Sequence, residues 1–400
     1  MIICSLSDAE HRPTDNRGAA IHQYHRFKDA GSADVKGDAA ESGLRQGPAW
    51  SGKTIFARLS LKNGELLSLN DAPAAAVLPA DKGYMRQSQA QWPFAVIFYL
   101  RSFIMKQYSL FKGAATALVT PLNENGVDWA QFERLLNWQV EAGISALVIC
   151  GTSGEGSTLS DEEHRACLKF AKEIVGDRVP LIAGTGSNDT AYAISLTEYA
   201  CELGYDAMLV VTPYYNKATQ NGLVKMFTAI ADASTKPVIL YNVPSRTGVN
   251  IEPSTYAKLA DHPMIWGIKE AGGNISKIVE TKALCGDKLD IWSGNDDQIV
   301  PLIACGGVGV ISVLSNVLPE KTVEMCMKAI NGDIKGAMDM QCDMLPLINA
   351  LFCEVNPIPV KAAVAALGYC DNYVRLPLTP MEPEHELVLL EEMRKQGLDF

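Results

Sequence analysis

An excess of positive charge is what this sequence most clearly lacks. Its 400 residues carry 35 Lys and Arg against 46 Asp and Glu, a formal net charge of −11, which leaves no basic field for a nucleic-acid backbone or an anionic membrane surface. Neither nucleic acid nor membrane is an expected partner. Metal signatures are missing too: the ten cysteines stand singly, with no CxxC pair and no Cys/His cluster at ligand spacing, and the six histidines contain no HExxH. No metal is expected, and the cysteines, set in apolar runs such as ALVIC and PLIAC, read as buried thiols of a reducing, cytoplasmic compartment. No GxGxxG follows a first strand, and no GK[ST] is expected to make a P-loop; the glycines of ACGGVGV have the wrong spacing. An open dinucleotide-binding sheet is thereby disfavoured.

Hydrophobic residues make up 48% and charged residues 20%, ordinary for a chain that buries a large core. The length allows two or three average domains or one large α/β barrel with an attachment. Residues 1–91 are rich in Ala, Gly, Ser, Asp, Gln and Arg, hold neither a helical nor a strand period for long, and read as weakly ordered. WPFAVIFYL, Arg101 and SFIM follow, an apolar stretch too short and interrupted to span a bilayer and too far from residue 1 for a signal peptide. An interfacial anchor would need a basic amphipathic face that is absent, which leaves a linker or a non-native leader. The native chain is expected to start near Met105, with residues 1–104 an N-terminal extension.

From Ala114 onward the pattern changes. Eight apolar, β-branched runs (ATALVT, ALVIC, PLIAGT, AMLVVT, PVILYNV, IWGIKEA, LDIWSG and GVISVL) alternate with amphipathic helical windows such as DWAQFERLLNWQVEAG and SDEEHRACLKFAKEIVG. Strict alternation implies parallel strands joined by right-handed crossovers, and eight units close into a (β/α)8 TIM barrel. The barrel is expected over 105–330 and a C-terminal helical appendage over 331–400, including KTVEMCMKAINGD as the eighth barrel helix, then IKGAMDMQCDMLPLINALF and, after NPIPV, KAAVAALG.

In such barrels the chemistry sits at the C-terminal ends of the strands. Strand six ends on Lys269, where the dull explanation is a solvated rim residue. An apolar strand before it suggests the other: burial disfavours an ammonium, and a free amine attacks a carbonyl. GTSGEG after strand two serves as a plain turn or, through the hydroxyls of Thr152 and Ser153 beside backbone N–H groups, as a carboxylate cradle. Tyr214 and Tyr215 after strand four and Tyr241 on strand five suit packing or proton transfer in a dry pocket. Arg246, in a Pro and Gly turn, is a surface charge or a fork for a carboxylate. No one residue decides between these readings, and their joint appearance on consecutive strand ends favours chemistry.

In the order GTSGEG, AGTGSN, VTPYYNK, YNVPSRTG, GIKEA and SGNDD, the stretch from about Lys112 to the C-terminus resembles the 4-hydroxy-tetrahydrodipicolinate synthase family, also called dihydrodipicolinate synthase. That family belongs to the pyruvate-dependent class I aldolase superfamily, which includes N-acetylneuraminate lyase. The resemblance covers nearly three quarters of the chain and leaves the N-terminal region without a counterpart. It implies a carbon–oxygen lyase in which Lys269 forms a Schiff base with pyruvate, with no other cofactor, and the derived enamine attacks L-aspartate 4-semialdehyde. Lysine and diaminopimelate biosynthesis is the implied pathway. It also implies a proton relay of Tyr241, Thr152 and a Tyr215 from a neighbouring subunit, hence a homo-oligomer, a dimer of dimers. Ser153 keeps the hydroxyl of the threonine in many relatives, and Gly294 and Ile311 match positions lining the pyruvate pocket. Arg246 matches the residue that takes the semialdehyde carboxylate, and its presence favours the synthases over sialic acid lyases, whose partner is a neutral sugar. At the dimer-interface site where feedback-inhibited relatives bind lysine, the matching positions are Tyr192 and Asp161, with His164, Asn188 and Tyr214 retained. Weak or absent inhibition by L-lysine is expected.

Overall fold

In the computed structural model of the chain, residues 109–400 are described in full, together with the backbone of three short strands before them. Those three, Ile3–Leu6, Ala57–Ser60 and Leu66–Ser68, form an antiparallel sheet in a separate N-terminal unit. No strand is expected there from the sequence, because none of these stretches holds an alternating pattern for long. The remaining expectations for residues 1–104, including weak order and the apolar linker, lie outside the described residues. So does GPAWSGKT at 47–54, which does carry the GxxxxGK[ST] spacing of a phosphate-binding loop.

Eight parallel strands close a barrel in sequential order: β1 (Gly113–Ala117), β2 (Ala146–Ile149), β3 (Leu181–Gly184), β4 (Ala207–Val211), β5 (Val238–Asn242), β6 (Ile265–Glu270), β7 (Asp290–Ser293) and β8 (Gly309–Ser312). Each falls within or beside one of the eight apolar runs. Both faces are covered, by the barrel interior and by the helices, which is why these strands read as continuous apolar runs rather than alternating ones. Closure brings β8 against β1 so tightly that a Cβ on Gly309 would lie 1.9 Å from the Gly113 carbonyl oxygen; only glycine fits there. At the N-terminal end Phe111 stacks on Trp292 with ring centroids 4.9 Å apart.

Between the strands run α1 (Trp129–Glu141), α2 (Asp161–Val175), α3 (Thr190–Glu202), α4 (Gln220–Ala233), α5 (Pro253–Leu259), α6 (Ile275–Cys285) and α7 (Ile299–Ala304), and α8 (Pro319–Ile330) follows the last strand. Loops at the strand ends finish on capping side chains. Asp128, Asp189, Thr219 and Asn274 each accept a backbone N–H of the next helix, and Ser160 with Glu163 closes a capping box on α2. The loops after β1, β2, β3, β4 and β6 are thus pinned at both ends.

Three further helices complete the chain: α9 (Ile334–Leu351), α10 (Ile358–Ala366) and α11 (Pro383–Lys395). The expectation of uniformly buried cysteines needs correction. Cys150, Cys167, Cys285, Cys326 and Cys370 are buried, but Cys342 and Cys353 are exposed, because the helical pattern of α9 turns Cys342 away from the barrel and Cys353 lies beyond its end.

Candidate active site

β5 and β6 pair in parallel with Tyr241 opposite Lys269. Both side chains enter the barrel, and the Lys269 Nζ stands 4.5 Å from the centre of the Tyr241 ring. Lys269 is only 4% exposed, so its amine lies within the barrel rather than on its rim. The next residue, Glu270, alternates to the outer face, as strand geometry requires. There its carboxylate accepts hydrogen bonds from Asn242 Nδ2, the Gly272 N–H and the Tyr256 hydroxyl at 2.7–3.0 Å. Burial raises the Glu270 pKa, against the pull of those hydrogen bonds. Lysine and glutamate, adjacent in sequence, therefore serve opposite sides of the wall.

Gly294, after β7, packs directly beside the lysine. A Cβ there would lie 3.1 Å from Lys269 Cε and 2.7 Å from Ala271 Cβ. Gly294→Ala is accordingly expected to displace the lysine and lower turnover about tenfold or more, with a smaller effect on stability. Steady-state kinetics beside thermal unfolding would check this, and unchanged turnover would contradict it. Ile311, on β8, is fully buried among the apolar side chains of the barrel interior. Asp296 lies two residues beyond Gly294, its Oδ2 accepting the backbone N–H groups of Val313 and Leu314 at 2.9 Å. Burial pushes its carboxyl up, while the Ser312 hydroxyl, those two amides and the Lys269 charge pull the other way.

The loop after β2 carries the second half of the site. It is bracketed by two non-glycine residues in the left-handed region, Cys150 at φ 57° and Glu155 at φ 52°, conformations that cost of order 1–3 kcal/mol each and persist only where the surroundings enforce them. The C-terminal segment braces this loop. Glu155 pairs with Lys361 of α10 at 2.5 Å with both side chains essentially fully buried, and its Oε2 accepts the Arg375 N–H at 3.1 Å. Lys361 also donates to the Tyr373 carbonyl at 2.8 Å, and Arg375 forks onto Glu163 at 2.5 and 2.6 Å. Ser153, 1% exposed, meets the Asn356 side-chain amide, Nδ2 to Oγ 3.1 Å. Arg246, on a single helical turn after β5, donates from Nη2 to the Asn356 carbonyl at 2.9 Å. Thr152, Arg246 and Asn356, with Pro377 and Leu378, line an open cavity of about 130 Å³.

The structure thus brings Lys269, Tyr241 and Gly294 together, sets Ile311 within the same barrel interior, and gathers Thr152 and Arg246 at one cavity, with Ser153 joined to its lining through Asn356. Tyr215 stands apart. It is 91% exposed at φ 72° on the loop after β4, with almost nothing of this chain against its ring. Glu155, Lys361, Asn356 and Arg375 escape the sequence reading; the one available signal was an acid inside a glycine-rich strand-end loop, where a free turn needs none.

With this geometry in hand, comparison with known proteins is specific. The Dihydrodipicolinate synthetase family model matches residues 110–396. The chain is 52% identical over 289 residues to the 4-hydroxy-tetrahydrodipicolinate synthase of Alkaliphilus oremlandii, covering 72% of this chain and 100% of that protein. Among solved structures it is similar to dihydrodipicolinate synthase from Aquifex aeolicus, with TM-score 0.71, 42% identity, and 72% and 99% of the two chains covered. The chloride-inhibited dihydrodipicolinate synthase from Acinetobacter baumannii, complexed with pyruvate, gives TM-score 0.70, 43% identity and the same coverage.

Proposed function

From the premise that the chain belongs to the dihydrodipicolinate synthetase family, we propose that it condenses pyruvate with L-aspartate 4-semialdehyde, through a Schiff base on Lys269, to give 4-hydroxy-tetrahydrodipicolinate for lysine and diaminopimelate biosynthesis. It is a lyase of the class I aldolase kind. The observation that carries the mechanism is the buried Lys269 amine held over the Tyr241 ring at the paired ends of β5 and β6.

The Lys269 amine attacks the C2 carbonyl of pyruvate and water leaves, giving an iminium. That cation accepts the electron pair released when a proton leaves the methyl carbon, and the resulting enamine attacks the aldehyde carbon of the semialdehyde, whose oxygen takes up a proton. The semialdehyde's own amine then adds to C2 and expels Lys269, closing the ring and restoring the enzyme. One water is lost overall. The electron sink is the iminium itself, so the reading needs no external cofactor. Tyr241 and Thr152 carry protons in this scheme, and Tyr215, exposed and in a constrained conformation, reaches the relay of a second copy in a homotetramer. Ser153 holds the pyruvate carboxylate, while Gly294 and Ile311 shape the space around its reacting end. Among the described residues no helix is long and apolar enough to cross a membrane, and we place the reaction in the cytoplasm.

Arg246, at the cavity with Thr152, takes the semialdehyde carboxylate as a charge-assisted fork. Arg246→Ala is expected to raise the KM for the semialdehyde about tenfold or more while pyruvate-dependent Schiff-base formation changes little; equal loss of both would contradict this role. Feedback inhibition by L-lysine is expected to be weak, because Tyr192 stands at the position of the acid that holds the ligand's amine in feedback-inhibited relatives, and Asp161, at the position of their histidine or tryptophan, shares both carboxylate oxygens with the Arg165 Nε at 2.9 and 3.0 Å. Half-inhibition below millimolar lysine would overturn that expectation. The function itself is tested by offering the full chain pyruvate with either L-aspartate 4-semialdehyde or N-acetylmannosamine. Consumption of the semialdehyde alone supports the synthase, and preference for the sugar would replace it with a sugar-acid aldolase.

A further inference from the structure

The turn between α9 and α10 delivers one residue to two loops of the barrel mouth. Asn356, 6% exposed, touches Ser153 of the β2 loop with its side-chain amide and Arg246 of the β5 turn with its backbone carbonyl. These partners lie 203 and 110 residues away in sequence, and both line or adjoin the cavity that Asn356 itself helps to form.

The direction of the first hydrogen bond matters. A carboxylate is acceptor-only, so a serine that binds one must donate its single hydroxyl proton to it. Were Ser153 to spend that proton on the Asn356 Oδ1, 3.4 Å away, nothing would remain for substrate. The closer contact is Nδ2 to Oγ at 3.1 Å; in that direction Oγ accepts, and its proton is left to point elsewhere. The second bond fixes Nη2 of Arg246 on the Asn356 carbonyl at 2.9 Å, which restrains the guanidinium while its other donors remain for an anion.

We propose that Asn356 is a positioning residue for the substrate carboxylates: its amide N–H holds Ser153 with the hydroxyl proton free for the pyruvate carboxylate, and its carbonyl steadies Arg246. This rests on the reading of Ser153 as a pyruvate-carboxylate ligand.

Asn356→Asp is the discriminating variant, because it keeps the side chain's shape but replaces the donor by an acceptor that takes the Ser153 proton and repels an incoming anion. A residue needed only for packing would tolerate that change better than truncation to alanine. The test measures kcat, the KM for each substrate and thermal unfolding in the full chain for Ser153→Ala, Asn356→Ala, Asn356→Asp and the Ser153→Ala/Asn356→Ala double variant. Ser153→Ala is expected to raise the KM for pyruvate about tenfold, and Asn356→Ala several-fold, with the double variant no worse than Ser153→Ala alone, since both act through one hydroxyl. Asn356→Asp is expected to exceed Asn356→Ala in its effect on pyruvate KM. The KM for the semialdehyde should move less in both, because the Arg246 contact is to backbone. If the alanine variant unfolds, a folded Asn356→Asp with raised pyruvate KM still supports the proposal. Additive effects in the double variant, an aspartate variant no worse than alanine, or lost stability with pyruvate KM unmoved would each overturn it while leaving Ser153 its role. An unaltered pyruvate KM in Ser153→Ala would remove that role, and this proposal with it.

Discussion

Lys269→Ala is expected to lose turnover by about three orders of magnitude or more, because no other group supplies the amine on which the covalent intermediate forms. Consumption of the semialdehyde in the presence of saturating pyruvate measures it. The fold should survive, since the truncated side chain leaves the β5–β6 pairing intact and strands no obligatory buried anion. Asp296, whose carboxyl burial already pushes up, loses one of the influences that hold it down and takes a proton more readily. A variant that unfolded, or one that kept a tenth of its turnover, would deny Lys269 the role of reagent.

Lys361→Met is expected to produce the largest loss of stability, about 3–5 kcal/mol, by leaving the Glu155 carboxylate buried without its cation. For a domain of this size that is a fall in Tm of about 10 °C. The pair is not itself a strong net contributor. Burial lowers the Lys361 pKa, and the attraction of Glu155 only partly opposes this, so the desolvation of the ammonium is not fully recovered. The prediction follows from that imbalance: Glu155→Gln combined with Lys361→Met should recover more than half of the loss, because a neutral amide can still accept the Arg375 N–H. Thermal unfolding of the two single variants and the double variant completes the cycle. The single variant should also handle pyruvate poorly, because Thr152 and Ser153 stand three and two residues before Glu155 in the loop it anchors. A loss below about 1 kcal/mol, or a double variant worse than both singles, would contradict the anchoring role.

The sequence and the fold agree most closely where the signal is local. All eight barrel strands are legible, because a strand covered on both faces must be apolar throughout and each is followed by a helix, five of which start on a capping side chain. Lys269 and Tyr241 are legible as well: strand ends carry the chemistry in such a barrel, and neighbouring parallel strands place them opposite each other. What escapes is long-range pairing. Glu155 reads as a turn residue in GTSGEG, and Lys361 reads as one polar position of a helix after NPIPV. Nothing local says that 206 residues of separation close to a buried ion pair. Asn356 is hidden for the same reason. The C-terminal segment reads as an appendage, whereas Lys361 of α10 and, in the connections beside it, Asn356 and Arg375 hold the β2 loop. Tyr215 is the opposite case, prominent in the sequence yet almost wholly exposed in a single chain.

The most direct test of the central claim is to trap the intermediate. The full chain is incubated with pyruvate, reduced with borohydride, digested and mapped by mass spectrometry. One reduced pyruvyl adduct per chain on the peptide containing Lys269, absent without pyruvate, is the predicted result. No adduct, or an adduct on a different lysine, would contradict the account.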